Sequence, residues 1–199
     1  MPSFGSDLVL TFVPLFIVVD AIGNLPIVMS LSEGMTTDER KRMIHMAMAT
    51  ATAVGLVFLF FGQFILNIMK IQTGALAIAG GIILFILSIR YLLSGQTVEV
   101  DRKEMIAIVP IGTPLVVGPA TITTLLLFSK QYPIYTVLIS LILNMLISWG
   151  VFLVGNRIAG FLGKGGLKAI SQIFNLLIAA IAVNMVLQGL SLLGIVSMA

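Results

Sequence analysis

Cysteine is absent from the chain, which excludes disulfides, thiolate metal sites and cysteine nucleophiles. A single histidine and a single tryptophan occur among 199 residues, and no His-Glu metal motif, phosphate-binding glycine loop or serine–base pattern is present. Nor do basic and aromatic residues combine into a nucleic-acid surface. Charge itself is scarce: 10% of residues are Asp, Glu, Lys or Arg against 59% hydrophobic ones, and the mean hydropathy is +1.15. Such a chain is a polytopic membrane protein with almost nothing left for a soluble domain. Residues 1–7 contain no Lys or Arg, the basic region that a signal peptide needs, so the first apolar stretch reads as a retained helix.

What is there divides into six apolar segments, 8–31, 44–66, 73–93, 105–129, 133–156 and 168–193, each long enough for a hydrocarbon core of ~30 Å. Nine basic residues fall on alternate connections: Arg40, Lys41 and Arg42 on the first, Arg90, Arg102 and Lys103 on the third, Arg157, Lys164 and Lys168 on the fifth. The other side has Lys70 and Lys130. The positive-inside rule therefore places both termini outside the cytoplasm.

The expected fold is all-α, a single transporter domain over 1–199 with six transmembrane helices in two inverted three-helix repeats, 8–93 and 105–193, joined by a cytoplasmic connector at 94–104. A weak echo supports the repeat. Val13 and Pro14 precede Gly23 and Pro26, as Val109 and Pro110 precede Gly118 and Pro119, and residues 74–87 resemble 166–179.

Asp20 is the one acidic residue inside the apolar segments; Asp7, Glu33, Asp38, Glu39, Glu99, Asp101 and Glu104 can all face water. A carboxylate at membrane depth costs at least about 2.5 kcal/mol unless it is protonated, paired or wetted. Asp20 is followed by Gly23, Asn24 and Pro26, and Gly118 with Pro119 makes a comparable break at the centre of 105–129, so helices one and four are expected to be interrupted. Such breaks expose backbone groups, which is tolerable inside protein or beside a polar cavity. Proline in a first turn can restart the second helix, where early amides and the hydroxyls of Thr121 and Thr123 can receive a carboxylate. Thr113 joins them as a candidate, and Asn24 can cap the half-helix that follows it. The alternative is structural: kinks at Pro14, Pro110 and Pro114, with threonine hydroxyls returned to carbonyls one turn earlier.

Asn144, beside Ser148 and Trp149, and Asn175 and Asn184, near Gln188, are secondary candidates whose plainer role is to join helices. Ala75, Ala77, Ala79, Gly80 and Gly81 permit close packing, and the eleven methionines are scattered core fillers. Thr36 and Glu39 have the spacing of a capping box, which predicts a helix start near the membrane surface, with His45 as a solvated boundary residue.

With these motifs on the page, the chain resembles the MarC family, grouped with small neutral amino acid transporters and a wider lysine-exporter-like superfamily. The resemblance spans nearly all of the sequence and is carried by Asp20-Ala21-Ile22-Gly23-Asn24-Leu25-Pro26, by Pro114-Leu115-Val116-Val117-Gly118-Pro119-Ala120-Thr121-Ile122-Thr123 and by Ala79-Gly80-Gly81. Members usually show proline directly after the aspartate, where this chain has Ala21. The resemblance implies a protein of the prokaryotic inner membrane that moves glycine, alanine or other neutral amino acids with the proton as coupling ion.

The expected function is thus secondary transport of a small neutral amino acid by alternating access, with Asp20 as ammonium contact or proton carrier. An exporter of another metabolite or drug, and a non-transporting membrane scaffold, are the alternatives. No enzyme activity, metal or cofactor is expected. Membrane lipids and a homo-oligomer are the partners foreseen, without nucleic acid.

Overall fold

Helical propensity and the apolar runs give an all-helical chain among the described residues, which in this computed structural model are 4–32, 34–94 and 116–196. The helices are α1 (Phe4–Val19), α2 (Leu25–Leu31), α3 (Thr37–Ile68), α4 (Thr73–Ser94), α5 (Pro119–Gln131), α6 (Ile134–Leu153) and α7 (Gly155–Leu192). In α7 the backbone leaves helical geometry at Gly163, whose φ is 63°.

Among the described residues four helical stretches are long and apolar enough to cross a bilayer: Thr37–Ile68, Thr73–Arg90, Ile134–Leu153 and Gly165–Leu192. They coincide with the segments expected at 44–66, 73–93, 133–156 and 168–193. The expectation of six transmembrane helices in two inverted three-helix repeats is overturned. Segment 8–31 is two short helices of 16 and 7 residues separated by a turn, and in segment 105–129 the described helix is α5, with 13 residues. At 1.5 Å per residue α1 extends about 24 Å and α5 about 20 Å, short of a core of about 30 Å. Hydropathy counts apolar residues along a segment, whereas a break within it leaves helices that are each shorter than the core. The connector expected at 94–104 lies almost wholly outside the described residues, as does Thr113.

The start of α3 follows from its sequence. The Thr36 hydroxyl accepts the Glu39 amide at 3.3 Å, while the Glu39 carboxylate accepts the Thr36 amide at 2.8 Å, closing the expected capping box. At the other end Lys70 adopts a φ of 55°, and the Ile71 amide reaches back to the Leu66 carbonyl at 2.9 Å, a left-handed turn that stops the helix. With 32 residues, α3 is about 48 Å long, so its charged first turns extend past an apolar core. Its surface residues Phe60, Phe61 and Phe64 are exposed, as a lipid-facing helix requires.

Two apolar clusters organise the helices. The larger joins Leu15 and Val19 of α1, Leu25 and Val28 of α2, Ile44, Met48, Ala51 and Leu59 of α3, and Val137, Leu141 and Met145 of α6. The smaller joins Ala77 and Leu84 of α4 to Ile178, Ala182 and Met185 of α7. Helix α5 lies between them, giving Leu125 to the first cluster and Leu127 to the second. The α4–α7 contact is antiparallel and backbone-close: a Cβ at Gly81 would sit 2.7 Å from the Ala182 carbonyl oxygen, and one at Gly74 would sit 2.7 Å from that of Gly189. Small residues are needed there because lipid supplies no hydrophobic drive and van der Waals contact must hold the pair.

Candidate functional site

Helix α1 ends because Asp20 takes a φ of 45°, a left-handed conformation that aspartate tolerates better than most side chains. Its amide still bonds the Phe16 carbonyl at 3.1 Å. Its carboxylate turns back over the following residues, and Oδ1 accepts the Gly23 amide at 2.9 Å. A Cβ at Gly23 would overlap the Asp20 carboxylate, so this arrangement requires glycine. The Asn24 carbonyl accepts the Val28 amide at 3.1 Å and so opens α2, while its side-chain amide donates to the Val19 carbonyl at 3.1 Å. Asp20 thereby serves an amide of the turn and Asn24 serves a carbonyl that α1 leaves open.

The second break uses the same chemistry. Gly118, extended at φ −83° and ψ −175°, precedes α5 without a side-chain cap, and Pro119 occupies the first turn. The Thr121 hydroxyl donates to the Val116 carbonyl at 3.2 Å. In both breaks a polar side chain returns to a carbonyl five residues earlier. Among the described residues a Cβ at Gly118 would meet nothing within 4 Å. Val116 and Val117 belong to the same buried cluster as Val19, Ala21 and Leu25. The fold thus brings both sequence-identified breaks into one core.

A seam of polar groups leads along α1 and α6. Thr136, Ser140, Asn144 and Ser148 recur every four residues on α6, and all four are fully buried. The Thr11 hydroxyl lies 2.7 Å from that of Ser140 and also reaches the Asp7 carbonyl at 2.8 Å. The Asn144 amide donates to Ser140 and Phe12 carbonyls at 2.8 and 3.3 Å. Among the described residues Thr136 Oγ1, Asn144 Oδ1 and Ser148 Oγ have no partner, and neither has Thr124 Oγ1 on α5. Each orphan carries a desolvation cost of about 1–3 kcal/mol that a water, proton carrier or solute would remove.

Helices α1 and α6 run parallel, since Phe4 stacks on Tyr135, Thr11 meets Ser140, and a Cβ at Gly155 would touch Leu25. That register carries the break at residue 20 to the Ser148 end of the seam. The four-residue spacing on α6 was readable in the sequence. Thr11, Thr136 and Ser140 were missed because hydroxyl residues are ordinary in membrane helices.

The remaining candidates divide. Thr123 is buried against α4, where a Cβ at Gly80 would lie 2.6 Å from its hydroxyl. Asn175 is buried on α7, next to Phe174, whose ring meets Phe16 of α1 at 6.1 Å. Asn184 is exposed on α7 and apart from the breaks. The backbone at Pro26 continues α2. His45 is exposed, yet it accepts the Trp149 indole N–H at 2.9 Å and links α3 to α6. Among the described residues no group of three or more His, Asp and Glu side chains could hold a metal ion.

Over residues 5–193 the sequence matches the family described as MarC family integral membrane protein. The chain belongs to the MarC family. It is 32% identical over 192 residues to the UPF0056 inner membrane protein YhgN of Escherichia coli K12, covering 93% of this chain and 96% of that protein. It is 30% identical to the UPF0056 membrane protein BU449 of Buchnera aphidicola from Acyrthosiphon pisum, with 93% and 96% of the two chains covered. The archaeal UPF0056 membrane protein MJ1677 of Methanocaldococcus jannaschii is 27% identical, with 92% and 95% covered. No solved structure matches the chain. Family membership and the four apolar spans make it a multi-pass integral membrane protein.

Proposed function

We propose that this MarC protein is a secondary transporter of small neutral amino acids such as glycine and alanine, working by alternating access with the proton as coupling ion. The observation that carries the reading is the shared core of the two backbone breaks, one holding Asp20 and the other with no described residue within 4 Å of a Cβ at Gly118. A zwitterion needs opposite partners, because burying either of its charges alone is costly. Asp20 offers an acceptor to the ammonium group, and the uncapped first turn of α5 offers amides to the carboxylate. The orphaned hydroxyls and amide of the α6 seam give water or a proton a polar route towards the same level.

In this reading 1–199 is a single transporter domain in the prokaryotic inner membrane, the compartment named for the E. coli relative. The exposed aromatic face of α3 meets lipid or a second copy of the chain. Counterflow in proteoliposomes tests the substrate class: preloaded unlabelled alanine should drive accumulation of labelled glycine or alanine. Absence of exchange across a broad set of neutral amino acids would reject the assignment. Export of another metabolite or a drug predicts competition by hydrophobic compounds and none by alanine.

A further inference from the structure

A polar cavity lies where α2 ends, α3 begins and α6 passes into α7, lined by neither Asp20 nor Gly118. We propose that it binds the phosphate headgroup of an anionic phospholipid. The cavity measures about 490 Å³, with Ser32, Thr37, Arg40, Lys41 and Asn156 as polar lining and apolar side chains such as Met29 completing the wall. One Arg40 Nη donates to the Phe152 carbonyl at 3.1 Å, in the last turn of α6, which fixes the guanidinium at the cavity edge. Its Nε is buried and has no partner among the described residues.

Among the described residues the nearest bonded carboxylate is engaged elsewhere. Glu39 is turned to the amide and hydroxyl of Thr36, each at 2.8 Å. Among the described residues neither Arg40 nor Lys41 forms an ion pair. The cavity therefore holds a guanidinium with unused donor capacity beside an ammonium, together with two hydroxyls and an amide. Planar guanidinium donors and a lysine point charge suit a phosphate diester.

Its position selects the lipid-borne form of that group. Arg40, Lys41 and Arg42 immediately precede the apolar part of α3, and Leu153 ends α6 at the same place, so the cavity opens at the boundary between headgroups and hydrocarbon. A headgroup there meets basic donors while its acyl chains continue along apolar walls. Basic clusters next to membrane spans attract anionic lipid at about 1 kcal/mol per Lys or Arg.

The test uses the full chain purified in zwitterionic detergent and exposed to dioleoyl phosphatidylglycerol or dioleoyl phosphatidylcholine. Native mass spectrometry reads retained lipid, and thermal unfolding reads stabilisation. Phosphatidylglycerol should be retained preferentially and raise the melting temperature. Lys41→Gln should weaken retention about 5-fold, the effect of losing one basic group near the surface. Arg40→Gln should weaken it further, but this variant also loses the bond to Phe152, so the exposed Lys41 carries the decision. Equal retention of both lipids, or unchanged retention in K41Q, would overturn the proposal. So would full stabilisation by inorganic phosphate alone, which would make the cavity a site for a soluble anion.

Discussion

The hydroxyls of Thr11 and Ser140 lie 2.7 Å apart in the contact between α1 and α6, and neither side chain is exposed. This pair ties the short first helix to a membrane-crossing one at mid-length. Thr11→Val should destabilise the protein by ~0.5–2 kcal/mol, because membrane-buried hydrogen bonds between helices contribute modestly and Ser140 is left unpaired. A double-mutant cycle with Ser140→Ala, read by unfolding in detergent, should give a coupling energy of ~0.6 kcal/mol or more. Additive losses would mean that the two hydroxyls do not interact.

Close backbone approach, rather than side-chain chemistry, holds α4 to α7. A Cβ placed at Gly81 would lie 2.7 Å from the Ala182 carbonyl oxygen and 2.8 Å from Val186 Cγ2. Gly81→Ala should therefore cost ~1–3 kcal/mol through overpacking, and Gly81→Val more. Gly160→Ala, where nothing lies within 4 Å of the new carbon, is the matched control and should have little effect. Equal melting temperatures for the Gly81 and Gly160 variants would contradict this packing.

The turn after α1 makes its own demand. Because a Cβ at Gly23 collides with the Asp20 carboxylate, Gly23→Ala must displace the carboxylate or the turn. Transport should fall by at least ~10-fold while the protein still inserts, since about 1.4 kcal/mol of misplacement already corresponds to that factor. Wild-type flux in folded G23A would show that the carboxylate position is immaterial.

Much of this was legible from residues whose effects are local. Four spans, the Thr36–Glu39 cap and both breaks follow from hydropathy, capping chemistry and helix-breaking residues near one another in sequence. The six-span count failed because 8–31 and 105–129 satisfy a hydropathy window although α1 stops at Asp20 and α5 starts after Gly118. Long-range partners were not legible. Nothing adjacent to Thr11 announces Ser140, and nothing adjacent to His45, which is exposed as expected, announces that it accepts the Trp149 N–H from another helix. Asp20 and Asn24 were recognised as chemically unusual, but their bonds to Gly23 and Val19 required the turn itself.

Asp20→Asn tests the central claim most directly, because asparagine tolerates the left-handed backbone and can still accept the Gly23 amide but cannot exchange the coupling proton. The measurement is amino acid flux into proteoliposomes with and without an inward proton gradient, beside counterflow at equal pH on both sides. A folded D20N protein should lose gradient-driven accumulation; retained counterflow identifies Asp20 as the proton carrier, and loss of counterflow as well identifies it as the ammonium contact. If folded D20N keeps wild-type affinity, turnover and pH dependence in both assays, Asp20 only caps the turn and the account of coupling is wrong.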